Sequence, residues 1–180
     1  GACTATTFIG ALTGTASDAS GATSDFSIAD KIVHTGDTNT AIRFPSNDVI
    51  SVESGGTEAL RVNASRRLII GHTGTTDFGG ANFSLQVTGT DFGSSGISQQ
   101  RFDTGSSGAS LILAHSKNAT KGSHTILADT DELGKIRFYG SDGTDFASLG
   151  AEIRGVVDGS PEENNVPGSI QFWTTLDQAN

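Results

Sequence analysis

The chain has one cysteine, no methionine, one tryptophan, one tyrosine and three prolines among its 180 residues. A lone thiol, Cys3, excludes an intrachain disulfide, so no covalent staple supplements the core. Positive charge is scarce as well: 11 Lys and Arg stand against 20 Asp and Glu, a formal net charge of −9. That balance disfavours sequence-independent binding to nucleic acid, which needs clustered cations to neutralise phosphates, and it disfavours an anionic bilayer. Long apolar runs are missing too. Stretches such as Leu111-Ile112-Leu113-Ala114 fall far short of the roughly 20 residues that cross a membrane as a helix. The expectation is a soluble chain with no membrane insertion and no nucleic-acid partner. The first residues lack the charged and apolar regions of a signal peptide, and the chain reads as a fragment of something longer.

What is abundant is small: 24 Gly, 21 Ser and 22 Thr. Ile, Val, Leu and Phe number 13, 8, 10 and 10, which lies just above the level at which a chain is expected to be disordered. Such a core is thin, and partner chains are expected to complete it. Helical periodicity fails because Gly, Ser, Thr and Asn interrupt every window of helical length. Period two recurs instead, in Ala41-Ile42-Arg43-Phe44, Lys135-Ile136-Arg137-Phe138 and Ser169-Ile170-Gln171-Phe172. These three runs share one strand template, with Phe44, Phe138 and Phe172 expected to point inward. Further strands are predicted at Val49 to Glu53, Thr57 to Asn63, Arg67 to Ile70, Phe83 to Thr88, Ile97 to Phe102, Ala109 to His115, His124 to Ala128 and Ala147 to Val157. Ser54-Gly55-Gly56, Ser141-Asp142-Gly143 and Asp158-Gly159 supply the positive φ that two-residue hairpin loops require.

The reading is all-β, in four parts: a small-residue shaft segment over 1–25, a first β unit over 26–88, a Gly and Ser joint over 89–96, and a second β unit over 97–180. Residues 1–25 are too poor in apolar surface to order alone. Winding with identical copies, so that small residues meet near a shared axis, is the arrangement preferred to disorder.

Three phrases carry a family resemblance. Glu58-Ala59-Leu60-Arg61-Val62-Asn63-Ala64-Ser65-Arg66-Arg67-Leu68-Ile69-Ile70-Gly71-His72-Thr73 resembles a phrase common in bacteriophage tail fibres, with Arg66 and Ile69 standing where the pattern has Gly. The run from Asp25 to Pro45 looks like the unit that often precedes it in fibres of marine and cyanobacterial phages. Gly134 to Gly143, with Ala151-Glu152-Ile153-Arg154, is similar to a downstream fibre unit. The resemblance implies an elongated intertwined homotrimer, a β-prism or triple-β-helix-like shaft carrying β-sheet units. It implies a place on the virion beside other phage tail proteins, reaching a host surface glycan or outer-membrane receptor. Related fibres often end in a self-cleaving chaperone domain; if the parent protein has one, it is expected beyond Asn180.

No nucleophile elbow, phosphate-binding Gly loop, His-Glu-x-x-His helix or Cys pair occurs, so the motif-defined enzyme classes are empty and no cofactor is expected. Glycan hydrolysis by paired carboxylates is the surviving enzymatic alternative, with Asp129, Asp131, Glu132, Asp142 and Asp145 as candidates. Their plainer reading is as turn residues, since each sits in a Gly- or Thr-containing turn context. The same acids lack the twelve-residue calcium-loop pattern. His34, His72, His115 and His124 are not spaced as local metal-ligand pairs, so no metal is expected. Tyr139 and Trp173 each follow a Phe of the template, which places them on the opposite strand face. They are the receptor-binding candidates, as rings that stack on sugars, with a subunit interface as their other use. A bacterial surface adhesin repeat fits the composition equally and loses only on the phage-like phrases.

Overall fold

The computed structural model describes residue 28 and residues 30–176; the expected shaft segment of residues 1–25 lies outside them. Among the described residues there is no helix, and the architecture is all-β, as expected from the period-two pattern. A six-stranded sheet runs β1 (Lys31–His34), β2 (Asp37–Ser46), β3 (Val49–Ser54), β4 (Thr57–Val62), β5 (Leu68–Ile70) and β6 (Leu85–Val87), in that order. A three-stranded sheet follows: β7 (Glu132–Gly140), β8 (Ser148–Val157) and β9 (Gly168–Thr174). Every neighbouring pair is antiparallel except β5 and β6, which are parallel.

Local chemistry explains the hairpins. Gly55 and Gly56 adopt φ of 59° and 77° and close β3 onto β4 with Ser54 opposite Thr57, the two-residue turn that demands left-handed backbone. The connection after β4 is a tight turn in which a non-glycine residue, Arg66, takes φ of 61°. Asn63 holds it there, its Oδ1 accepting the N–H groups of Ser65 (3.0 Å) and Arg67 (3.1 Å). Two expected short turns are longer than a two-residue hairpin, because β7 joins β8 through residues 141–147 and β8 joins β9 through residues 158–167.

Register sorts the side chains of each sheet by face. Across the first sheet, Ile32, Ile42, Val52, Leu60, Ile70 and Val87 stand opposite one another in a continuous apolar row. The complementary row on the other face is Lys31, Arg43, Ser51, Arg61, Ile69 and Gln86. The second sheet repeats the division, with Ile136, Ile153 and Phe172 on one face and Arg137, Glu152 and Trp173 on the other.

Burial runs against this division. The polar faces are the covered ones: Ser51, Ile69 and Glu152 are almost wholly buried. Arg43, bonded to Asp30 and Glu53, and Arg61, bonded to Glu58, lie along the first polar face. The connection between β5 and β6 reaches the same face, where Thr76 exchanges two backbone hydrogen bonds with the Gln86 amide at 2.8 and 2.9 Å. The apolar faces are more open: Ile32, Ile42 and Ile136 are 51%, 44% and 46% exposed, while Val52, Leu60, Ile70, Val87 and Ile153 are half-buried. Phe44, Phe138 and Phe172 were expected to point inward and are instead 38%, 52% and 77% exposed. Strand alternation does place them on the apolar side, where cover by the described residues is partial: Leu113 lies against Gly134 and Val157 is buried, while these three rings stay open.

Three expected strands are also absent. Ile97 to Phe102, Ala109 to His115 and His124 to Ala128 form none, and no backbone–backbone hydrogen bond involves residues 89–119. Alternation specifies the two faces of a strand, but a strand also requires a neighbour to pair with, and the described residues supply none. Phe102 and Ile112 stand 89% and 79% exposed there.

Candidate functional site

Lys135, Arg137 and Tyr139 alternate along β7 and therefore project from one face. Arg137 Nε donates to Glu152 Oε2 at 2.6 Å, and Arg137 Nη1 reaches the Tyr139 hydroxyl at 3.4 Å. Arg154 approaches the same carboxylate from the other side, its Nε 2.5 Å from Oε1, but with the N–H directed too far off-line to form a hydrogen bond. Arg154 also pairs with Glu132 at 3.2 Å, and Glu132 pairs with Lys135 at 2.5 Å. The Arg137 hydrogen bond, against the effect of burial and with help from both guanidinium charges, holds the Glu152 carboxyl below its ordinary pKa. The same bond raises Arg137. The result is a fixed cationic rim around one buried acid.

Tyr139 belongs to an aromatic cluster. Phe78, on the connection between β5 and β6, has its ring centroid 5.8 Å from both Phe83 and Tyr139 and 5.6 Å from Phe146. It is placed there by a tight turn in which Phe78 N–H donates to Ala81 C=O at 3.0 Å. A cavity of about 400 Å³ opens beside this cluster, between β6 and β7. Phe83, Leu85 and Val87 form its apolar wall. Phe78 and Tyr139 contribute rings, and Lys135 and Arg137 contribute the charge.

Trp173 lies on the same face of the second sheet as Tyr139, as alternation implied, but on β9 with β8 between them. The Arg154 guanidinium sits 4.5 Å above its ring centroid, a cation–π geometry. Its indole N–H donates to Gln171 Oε1 at 3.2 Å. Trp173 lines a smaller cleft of about 110 Å³ with Glu152 and Arg154. The two candidate rings are thus linked through Arg137, Glu152 and Arg154 without sharing a cavity.

The acidic candidates hold turns and ion pairs. Asp129 accepts the Gly159 N–H at 2.7 Å. Asp131 accepts the Ala128 N–H at 2.6 Å and pairs with Lys117, which lowers its pKa. Asp142 accepts the N–H groups of Thr144 (2.9 Å) and Asp145 (3.2 Å) and is lowered for that reason. Asp145 accepts the Ala147 N–H at 2.7 Å. His72 bonds the backbone of Gly74, and His115 bonds the Glu132 carbonyl at 2.7 Å. Among the described residues no three His, Cys, Asp or Glu side chains converge as a metal site, so His34, His72, His115 and His124 are not brought together.

Sequence reasoning did not single out Phe78, Phe83, Lys135, Arg137 or Glu152. The spacing of Lys135, Arg137 and Tyr139 carried a usable signal, since period two puts them on one face. Phe78 carried none, because its position depends on the parallel pairing of β5 with β6. Comparison with protein-family models, with curated proteins and with solved structures finds no match.

Proposed function

We propose that this chain is a structural and host-recognition segment of a trimeric phage tail fibre, carried on the virion and mediating attachment to a bacterial surface. The observation that supports it is the uneven burial of the two sheets, whose polar faces hold the buried Ser51, Ile69 and Glu152 while Ile32, Ile42, Ile136, Phe138 and Phe172 on the apolar faces stay more than a third exposed. Further copies of the chain would cover these exposed side chains, in interfaces that usually bury about 800 Å² per partner. The number three and the attachment role come from the tail-fibre phrases.

Recognition without hydrolysis suits the acidic side chains, each of which is tied to a turn or an ion pair. Native protein spread over an array of bacterial envelope polysaccharides is expected to be retained on at least one and to release no reducing ends from it. Retention on none would contradict the attachment role. Cleavage that disappears on replacing Asp129, Asp131, Asp142 or Asp145 would favour the depolymerase alternative.

A further inference from the structure

We infer that the cavity between β6 and β7 binds an acidic sugar residue, of the uronic or sialic type, through its carboxylate. This rests on the attachment reading for the source of the sugar, the bacterial envelope, but not for the chemistry of the cavity. A volume of about 400 Å³ lies in the range of small-ligand sites, which combine apolar walls with a few convergent polar groups.

The charge of the cavity opposes that of the chain. In a protein of net charge −9 with 11 cationic side chains, Lys135 and Arg137 both line this space, and no carboxylate does. Each has donors to spare. Arg137 commits Nε to Glu152 and reaches Tyr139 weakly, while its fork carries five N–H groups. Lys135 gives one bond to Glu132 and has three donors. The ion pairs with Glu132 and Glu152 orient both heads before any ligand arrives, which lowers the entropic cost of binding.

A planar carboxylate suits the guanidinium fork, and charge-assisted bonds are about twice as strong as neutral ones. The apolar face of a pyranose ring fits against Phe78 and Tyr139, as aromatic rings accept flat apolar surfaces. Thr76 and Thr88 are also on the lining and are the polar residues nearest to hand for the sugar's own hydroxyls. A neutral sugar would make the ring contacts and leave the cations unanswered. A purely apolar occupant would strip water from both cations without compensation.

The test is calorimetric titration of the native protein with digalacturonate and with N-acetylneuraminate, beside the neutral disaccharide galactobiose. At least one acidic sugar is expected to bind about tenfold more tightly than the neutral one, the factor that one charge-assisted bond supplies. Lys135→Gln and Tyr139→Phe are expected to weaken acidic-sugar binding while leaving the native mass unchanged. Arg137→Lys should weaken it too, keeping a charge beside Glu152. Equal binding of acidic and neutral sugars, or no binding of either acid at millimolar concentration, overturns the proposal. A fall in native mass on Lys135→Gln also overturns it, because the cavity would then belong to a subunit contact. Retention on a polysaccharide lacking acidic sugars, with no acid binding, would remove this proposal and leave the attachment reading in place. Acid binding without retention on any envelope would do the reverse.

Discussion

Gly71 and Gly55 both adopt left-handed backbone, with φ of 78° and 59°, and differ in their surroundings. A Cβ on Gly71 would fall 2.1 Å from the Thr88 carbonyl oxygen, whereas one on Gly55 meets nothing within 4 Å. Gly55→Ala is expected to cost about 1 kcal/mol from backbone strain alone. Gly71→Ala adds a clash with fixed backbone where β5 and β6 end, for a total of roughly 2 to 4 kcal/mol. Thermal unfolding of the two variants separates these effects, and equal losses would contradict the close approach at Thr88. Glu152 sets the acid limit. Its folded pKa lies below its unfolded value, so its contribution is complete at neutral pH and is lost as pH falls from about 4.3 through the lowered value. Asp131 and Asp142 shift in the same direction. Trp173 fluorescence is expected to stay constant from neutral pH to about pH 5, then change as acid breaks the network. Glu152→Gln should cost roughly 2 kcal/mol, less than a fully buried pair because both arginines reach solvent, and should flatten that acid transition. An unaltered acid transition in the variant would contradict the assignment.

At the scale of the element, the apolar rows should govern association. Phe138→Ala removes a side chain that is half exposed within one chain, so the roughly 3 to 5 kcal/mol expected of a fully buried Phe is not available from the chain's own core. Its loss should register as weaker association. Ile42→Asp and Ile136→Asp place charge at exposed positions of the two apolar rows and are expected to lower the native mass while the β circular-dichroism signal persists. Unchanged mass in both would show that these faces contact no other copy. Period two made the strands at Ile42, Ile136 and Ile170 legible, and it separated the Tyr139 and Trp173 rings from the Phe face. It failed between Ile97 and Ala128, where the same alternation occurs with no partner strand, since pairing is a property of two segments. The cavity was half legible for a related reason: Lys135, Arg137 and Tyr139 are local in sequence, whereas Phe78 reaches them only through the crossover.

Over the whole molecule, the association we propose would cover the apolar side chains that one chain leaves exposed. Its two sheets bury a charged network well enough to fix it, while Ile42, Phe138 and Phe172 await cover. In the proposed trimer, three chains of −9 would carry −27 together, which would oppose long-range attraction to an anionic envelope and leave recognition to short-range contacts such as the proposed cationic cavity. Several weak sites held on one particle then act at high effective concentration. The central claim, that copies of this chain cover one another's apolar faces, is tested most directly by the mass of the native protein in solution. Light scattering at micromolar concentration is expected to give about three times the 18.4 kDa chain mass. A stable, folded species of 18.4 kDa would contradict the account.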